Sequence, residues 1–274
     1  MEKHNPVLRF FSLPLIILLN ILPAKISTAI FLAFSGKNGD TFKVLNGVTT
    51  FRALEVMYTY FDRRKIEKLN LSSRFWEIFL SNSRSIRNRL LLVKKTIIKL
   101  AEEKEKVNLL SIGSGSARPI LETIRVIDSR KSPKIMMIDM DEEAISYSKE
   151  LALKFSFNHT TWVSGHFFRV EKHCKKFKPN LIEMVGLLDY LNDKNVLFLL
   201  KEVFSTIENE GYLITGNILP NIEAPFVTKG IRWPMIYRKP EQLISLLKDA
   251  GFTNVKTEKE LLGIHMIATA QKLV

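Results

Sequence analysis

The stretch Asn108-Leu-Leu-Ser-Ile-Gly-Ser-Gly-Ser-Ala-Arg118 decides the fold of this chain. It predicts a buried strand that runs into a glycine-rich turn and then a helix. Gly113 and Gly115 have no Cβ, so the backbone can turn sharply there and approach a ligand closely. Ala117 stands two residues after Gly115, where a glycine-rich ligand-binding loop can carry a third glycine, and Pro119 suits a first helical turn. Taken alone the pattern is a weak signal, because many strand–turn–helix units contain two close glycines.

Strand and helix patterns alternate through the rest of the chain. Seven strands are predicted, at Val107–Ile112, Lys134–Asp139, Thr160–Ser164, Asn180–Val185, Gly211–Gly216, Thr253–Thr257 and Ile264–Ala270. Helices are predicted near 118–128, 141–155, 168–176, 193–208 and 240–250. Such alternation predicts a parallel sheet with helices on both faces. The loop Glu258–Gly263 is too short for a parallel crossover, so the last two strands form an antiparallel hairpin. We predict an α/β fold with a seven-stranded, mostly parallel sheet.

The charge of the chain is unevenly distributed. The chain has 274 residues and a net charge of +13. Residues 1–100 hold 17 Lys and Arg against 6 Asp and Glu, a net charge of +11, whereas residues 101–274 are nearly neutral at +2. Such asymmetry is typical of contact with an anionic membrane or nucleic acid, and also of a merely solvated basic face. The single cysteine, Cys174, excludes an internal disulfide and favours a reducing compartment.

The first 35 residues are unusually apolar. The runs Phe10–Ala24 and Ile30–Phe34 fall short of the about 20 apolar residues that a spanning helix needs. Pro14 and Pro23 indicate two short helices. These helices either pack on the protein or insert peripherally into a membrane, and a true span or signal peptide is less favoured. We expect a cytoplasmic protein that is free or peripheral to the membrane.

The chain is predicted to contain two regions. Residues 1–105 form a helical, basic and partly apolar region, and Glu102–Lys106 is a polar linker at its end. Residues 106–274 form the ligand-binding α/β domain. The apolar and basic first region is expected either to cover the binding site or to contact a membrane.

Several motifs, in order, resemble those of class I S-adenosylmethionine-dependent methyltransferases over about residues 84–272. Leu109–Ala117 resembles the family's first motif, and Ile138–Asp141 resembles the end of its second strand. Ser164–Phe167 stands where the family often has Gly-Asp-Ala, and Glu183–Tyr190 resembles its fourth motif. Ala250–Val255 resembles the entry to strand six. The resemblance implies this Rossmann-like fold, S-adenosyl-L-methionine as the cofactor and methyl transfer as the activity.

The resemblance also implies which residues contact the cofactor. Asp139 would accept hydrogen bonds from both ribose hydroxyls, at the strand end where such sheets bind ligands. Asp141 is better placed than Asp139 to cap the next helix. Phe167 could pack on the adenine, and His166 could bond near its amino group. The full set is Ser111, Gly113, Ser114, Gly115, Asp139, Met140, His166, Phe167 and Gly186.

Two residues depart from the family pattern. The usual acidic residue of the first motif is Ser111 here, so a carboxylate near the cofactor's amino group is missing or comes from elsewhere. Arg118 is unexpected because a cation beside a sulfonium is unfavourable. It points either to the cofactor carboxylate, to an anionic substrate or to solvent.

The acceptor side of the site is less defined by sequence. Asp189 and Tyr190 follow strand four, where catalysis usually occurs in this family. A carboxylate acceptor would need no general base, whereas a hydroxyl or amine would need one, from Asp189, His265 or Tyr237. A narrower resemblance to little-characterised bacterial methyltransferases, some linked to methyl esters of hydroxy fatty acids, adds substrate contacts. The predicted substrate residues are Arg118, Asn217, Trp233, Tyr237 and Arg238.

We therefore predict O- or N-methylation of a small-molecule or lipid-like acceptor, with an anionic membrane surface as a second partner and no metal. The first alternative is an RNA methyltransferase, which the charge favours. A nicotinamide-dependent enzyme is disfavoured, because Gly113-Ser-Gly-Ser-Ala-Arg118 has Arg in place of the third glycine of its motif. A non-catalytic binding protein that retains the cofactor fold is the last alternative, and the oligomeric state stays open.

Overall fold

A computed structural model describes residues 1–3, 5–35, 39–66, 79–127, 133–155, 157 and 160–273. The helices in this part of the chain are α1 (Pro6–Ile21), α2 (Ala24–Ser35), α3 (Asp40–Asn46), α4 (Phe51–Tyr58), α5 (Tyr60–Ile66), α6 (Ser81–Glu102), α7 (Arg118–Ile124), α8 (Glu142–Lys154), α9 (Val170–Cys174), α10 (Asp193–Thr206), α11 (Ala224–Lys229) and α12 (Pro240–Asp249). The strands are β1 (Asn108–Ile112), β2 (Lys134–Asp139), β3 (Thr160–Ser164), β4 (Leu181–Met184), β5 (Tyr212–Ile218), β6 (Thr253–Lys259) and β7 (His265–Gln271).

The seven strands form one mixed sheet in the order β3-β2-β1-β4-β5-β7-β6. Strands β1 to β5 are parallel to their neighbours. Thr253 at the start of β6 donates from Oγ1 to Gln271 O at the end of β7, so the last two strands run antiparallel. The predicted mostly parallel sheet with a C-terminal hairpin is confirmed.

Both faces of the sheet are covered by helices. On β1 successive side chains alternate between two core clusters, as the period of a strand requires. Leu110 belongs to a cluster with residues of α9, α10 and α12. Leu109 belongs to a second cluster with residues of α6, α7 and α8. Because the strand is buried on both sides, its sequence is a continuous apolar run interrupted only by Ser111.

The chain divides into two compact units. The helical unit consists of Met1–Leu90, Pro220–Met235 and Lys259–His265. The sheet unit consists of Leu91–Leu219, Ile236–Glu258 and Met266–Val274. The predicted boundary between residues 105 and 106 stays a prediction.

The helical unit has its own core and its own buried charges. Ile16, Phe31 and Phe226 are among the residues that fill the core. Glu223 is 1% exposed, and its carboxylate accepts hydrogen bonds from the backbone N–H groups of Ser81 and Asn82. These donors replace the hydrogen bonds with water that the carboxylate loses on burial.

The apolar N-terminal segment forms α1 and α2, which are separated near Pro23 as predicted. Pro14, however, lies inside α1 rather than at an end. No helix in the described ranges is long and apolar enough to cross a membrane.

Candidate active site

The glycine turn lies at the C-terminal end of β1. Gly113 and Gly115 have φ values of +66° and +53°, a conformation that favours glycine. Gly113 N and Ser114 N donate to Ile138 O of β2 at 2.8 and 3.2 Å. Gly115 N donates to Asp139 Oδ2 at 2.7 Å. The turn is therefore held against the end of the neighbouring strand by three backbone donors.

Asp139 is a half-buried carboxylate at the edge where β2 ends. Its Oδ1 accepts a hydrogen bond from Asp141 N at 2.9 Å, and Oδ2 accepts the bond from Gly115. A carboxylate oxygen has two acceptor positions, so each can also accept a ligand hydroxyl. Asp141 caps α8 by accepting from Glu143 N and Ala144 N, as predicted, whereas the ribose role of Asp139 stays a prediction. Met140, between the two aspartates, is 60% exposed.

Ser111 is paired with a carboxylate that the sequence reasoning did not select. Ser111 and Glu183 are register partners on β1 and β4. Ser111 Oγ donates to Glu183 Oε2 at 2.6 Å, and Val185 N donates to Oε1 at 3.0 Å. Glu183 is 5% exposed. A buried acidic group thus lies on the strand next to the position where the first motif usually has one. The signal was available, because the predicted strands end together and Ser111 and Glu183 share one face.

The hydroxyl of Ser114 gives a second polar feature in the turn. Its oxygen is buried and has no hydrogen-bond partner among the described residues. An unsatisfied buried hydroxyl costs about 1–3 kcal/mol. A polar ligand group at the turn would remove that cost.

The loop after β4 begins beside the glycine turn. Gly186 has a φ of +93°. The side chain of Leu187 lies 3.5 Å from the position that a Cβ on Gly113 would occupy. The chain thus brings the predicted Gly186 segment next to the predicted cofactor turn.

His166 and Phe167 follow β3 at the same edge of the sheet. Gly165 N donates to Asp139 O at 2.9 Å, so this segment begins next to Asp139. His166 is exposed, and its Nδ1 accepts from Phe168 N at the start of a short 3-10 helix. The rings of His166 and Phe167 lie 4.4 Å apart. The two rings are tilted by 37° to each other and form a partly exposed aromatic pair, against which a further ring can pack.

Asp189, Asn217 and Arg238 belong to one buried network. Asp189 is 3% exposed, and its Oδ1 accepts from Ile218 N at 2.8 Å. Arg238 Nη1 donates to Asn217 Oδ1 and to Leu188 O, each at 2.8 Å. Further bonds from Arg238 go to Asp193 and the carbonyl of Leu191. All three nitrogens of this guanidinium thus donate hydrogen bonds within the protein, four bonds in all. Because Arg238 donates to the carbonyls of Leu188 and Leu191, it positions the loop after β4.

The two tyrosines predicted near the acceptor differ in exposure. Tyr190 is 39% exposed in the short turn after β4, and Tyr237 is partly buried directly before Arg238. Tyr190 directly follows Asp189, and Tyr237 follows Ile236, whose backbone N donates to Asp189 O at 2.7 Å.

Arg118 points into an ion-pair group on the helices. Its Nη1 lies 3.0 Å from Glu122 Oε1, and Lys94 Nζ lies 2.7 Å from Glu122 Oε2. Its side chain is 10% exposed. A carboxylate one helical turn away therefore compensates the cation whose presence near the motif was unexpected.

Trp233 and His265 lie in the helical unit. Trp233 is 5% exposed and is part of the core of that unit. His265 Nδ1 lies 2.7 Å from Ser85 Oγ, which donates to Glu260 Oε1 at 2.8 Å. Because the one hydroxyl proton goes to the carboxylate, Nδ1 must donate to Ser85. Burial, and then the positive charge of Arg89, holds the pKa of His265 well below its usual value. The ring is neutral and bonded inside a buried network.

A search for metal ligands finds no group of three or more His, Cys, Asp or Glu residues that could hold an ion within the described ranges. The site offers the buried hydroxyl of Ser114 at the glycine turn, two carboxylates on the strands that flank β1 and a ring surface after β3.

Comparison with known proteins gives a family and a fold. A family model described as "Putative methyltransferase" matches residues 67–272. Comparison with curated proteins finds no match. Among solved structures, a protein described as a possible exported protein from Bordetella parapertussis is 16% identical, with a TM-score of 0.64 over 92% of this chain and 98% of that chain.

Two further solved structures are named methyltransferases. The CurJ carbon methyltransferase is 14% identical, with a TM-score of 0.60 over 93% of this chain and 72% of that chain. Human N-acetylserotonin methyltransferase, solved with S-adenosylmethionine, is 15% identical, with a TM-score of 0.53 over 90% and 71%. At such identities the likeness establishes the fold. Because the family model covers most of the chain, the chain belongs to this methyltransferase family and has the class I, S-adenosylmethionine-dependent methyltransferase fold.

Proposed function

We propose that the protein transfers a methyl group from S-adenosylmethionine to a small-molecule or lipid-like acceptor. The observation that carries the proposal is the 2.7 Å hydrogen bond from Gly115 N to Asp139 Oδ2. It joins the glycine turn to a carboxylate that can accept from vicinal hydroxyls. Both lie at the C-terminal edge of a parallel sheet, where such folds bind nucleoside ligands.

The residues around this bond fit the parts of that cofactor. Asp139 would hold the ribose hydroxyls, and His166 with Phe167 would pack on the adenine. The unsatisfied hydroxyl of Ser114 would bond the methionine carboxylate. Glu183 would supply the negative charge for the methionine ammonium group that Ser111 cannot supply. Each assignment follows from a donor, acceptor or charge at the edge of the sheet.

The chain's own contribution to the reaction would be alignment and exclusion of water. S-adenosylmethionine, when bound, supplies a methyl group that is already activated on a sulfonium. The loop of Gly186 and Asp189 begins beside the turn, and Arg238 with Asn217 holds it in place. Fixing the acceptor in line with the methyl group lowers the barrier without further chemistry. Asp189 is the proposed general base for a hydroxyl or amine acceptor, and a carboxylate acceptor would need none.

The acceptor class is proposed from the N-terminal residues. Helix α1 exposes large apolar side chains, among them Phe10 at 75% and Phe11 at 70%. Such a surface is typical of contact with lipids or lipid-like molecules. Extracts incubated with isotope-labelled S-adenosylmethionine and analysed by mass spectrometry should show the label in a lipid or small-molecule fraction. Label in the RNA fraction alone would contradict this acceptor class.

Calorimetric titration tests the cofactor assignment. We expect binding of S-adenosylmethionine and no binding of a nicotinamide dinucleotide. Asp139→Ala should weaken cofactor binding at least tenfold, about 1.4 kcal/mol, because it removes charged hydrogen bonds. Asp141→Asn is the matched control, since it changes the next aspartate but retains a capping side chain. Unchanged affinity in folded Asp139→Ala would refute the ribose assignment.

A further inference from the structure

Helix α1 has an apolar face that the rest of the helical unit does not cover. Its exposed residues follow one another at intervals of three, one, three, three, one and three positions, so they lie within one stripe of the helix. Phe10, Phe11 and Ile21 are 75%, 70% and 77% exposed. We call this stripe the α1 apolar face; it consists of Val7, Phe10, Phe11, Pro14, Ile17, Leu18 and Ile21.

The opposite face of α1 is already used by the protein. Ile16 and Leu19 are 0% and 2% exposed in the core of the helical unit. The one charged residue of the helix, Arg9, is directed away from the stripe, with Nη1 3.1 Å from Glu223 Oε1. Asn20 donates to Ile222 O and accepts from Phe226 N. The α1 apolar face is therefore left without any charged side chain, and an exposed apolar face of this kind is typical of an interaction surface.

Cations lie at the two ends of the stripe. Lys3 precedes α1, Lys25 follows it, and both are exposed. The sequence has no Asp or Glu between Glu2 and Asp40. Glu2 itself is paired with Arg87, with Nε and Oε1 2.6 Å apart. The surroundings of the stripe thus carry positive charge without nearby negative charge from the same segment.

We propose that the α1 apolar face docks on an anionic lipid bilayer, with α1 lying in the interface and Lys3 and Lys25 near the lipid phosphates. From Val7 to Ile21 the stripe is about 21 Å long at 1.5 Å per residue, a length suited to lying along the surface. The apolar side chains enter the boundary between headgroups and acyl chains, as in other interfacial helices. Each lysine adds attraction to an anionic leaflet.

A second copy of the chain is the competing occupant of this face. A two-fold pair of antiparallel α1 helices would place Lys25 of one copy against Lys3 of the other. Like charges at both ends of such an interface oppose it, whereas an anionic bilayer is complementary to both ends at once. Charge complementarity therefore selects the bilayer. The proposal does not rest on methyl transfer.

Vesicle co-sedimentation of the full chain, without any methyl donor, tests the proposal. The probes are vesicles of phosphatidylcholine alone and of phosphatidylcholine with phosphatidylglycerol. We expect tighter binding to the second, weakened by salt. Phe10→Gln and Phe11→Gln should each lower the partition coefficient about tenfold, from the apolar area lost. Lys25→Gln should lower it about fivefold on anionic vesicles only.

Matched controls separate docking from general effects. Phe198→Gln changes a phenylalanine of the sheet unit that is 52% exposed, and Lys248→Gln changes an exposed lysine on α12. Both should bind vesicles as the unaltered chain does, and circular dichroism should show that every variant is folded. Binding that is equal on both vesicles, or unaffected by the two Phe10 and Phe11 changes, would overturn the proposal. The proposal would also be overturned if the chain did not bind vesicles and sedimentation velocity showed a dimer that Phe10→Gln abolishes.

Discussion

Replacing Glu183 by Gln gives the sharpest test of how the cofactor end of the site is charged. Gln has the same shape, and its amide oxygen can still accept from Val185 N. Its amide nitrogen can donate to Ser111 Oγ, so these two hydrogen bonds each have an equivalent in the variant. The substitution therefore removes the negative charge and leaves the strand pairing between β1 and β4 in place.

The expected magnitude follows from the type of bond that is lost. A hydrogen bond to a charged group contributes about 1.5–3 kcal/mol. Since 1.4 kcal/mol is a factor of ten, Glu183→Gln should weaken binding of S-adenosylhomocysteine about 10- to 150-fold. The same substitution should not change the binding of 5′-methylthioadenosine, which has the adenine and ribose but no amino acid part.

The assay is calorimetric titration of both ligands into both acidic variants. Asp139→Ala should weaken binding of both ligands, because both have the ribose. Glu183→Gln should weaken binding of S-adenosylhomocysteine alone. Equal losses for the two ligands in Glu183→Gln would mean that the residue only supports the fold. Unchanged binding of S-adenosylhomocysteine would refute the proposed charge contact.

Three other predictions concern buried groups. Because the pKa of His265 is lowered in the folded state, the unfolded chain takes up a proton first as the pH falls below about 6.5. The free energy of unfolding should then fall by at most about 1.4 kcal/mol for each unit by which the pH is lowered. The folded variant His265→Gln should lack this contribution to the pH dependence, and an unchanged pH dependence would show that the histidine does not cause it. Arg238→Lys should lower the free energy of unfolding in urea by about 1–3 kcal/mol, because an ammonium with three donors leaves at least one of the four acceptors around Arg238 unsatisfied. An unchanged midpoint and slope would contradict the network. Burial raises the pKa of Cys174 to about 12, so iodoacetamide at pH 8 should label it rapidly only in denaturant, and fast labelling of the folded chain would refute this.

The sheet could be predicted from sequence because its strands are short apolar runs between turn signals. β2 and β3 have the predicted bounds, and the loop between β6 and β7 left only an antiparallel pairing. These are local properties or follow from the length of a connection. Element ends differed by a few residues, as at β5, because fraying and capping decide them.

Features that depend on distant partners were not predictable in the same way. Helix α11 has only six residues and no period to detect. Pro14 is tolerated inside α1, against its local preference, where Ile16 and Leu19 on the other face of the helix pack into the core of the helical unit. The bonds of Ser85 with Glu260 and His265 join residues at least 175 positions apart. Packing, not local sequence, sets such pairs.

The departures from the family motif are best understood through backbone and strand geometry. Ala117 has a φ of +55°, so a third residue of the turn, after Gly113 and Gly115, adopts the left-handed conformation without being a glycine. A non-glycine residue there costs about 1–2 kcal/mol, and the Ala117 methyl, 1% exposed in the core, offsets about 0.8 kcal/mol of it. A glycine count therefore underestimates how well the turn is formed. In the same way, Ser111 lacks the usual acid, yet its register partner Glu183 is acidic. The sheet can keep a charge at one edge while exchanging the strand that carries it, because neighbouring strand ends project side chains into the same space.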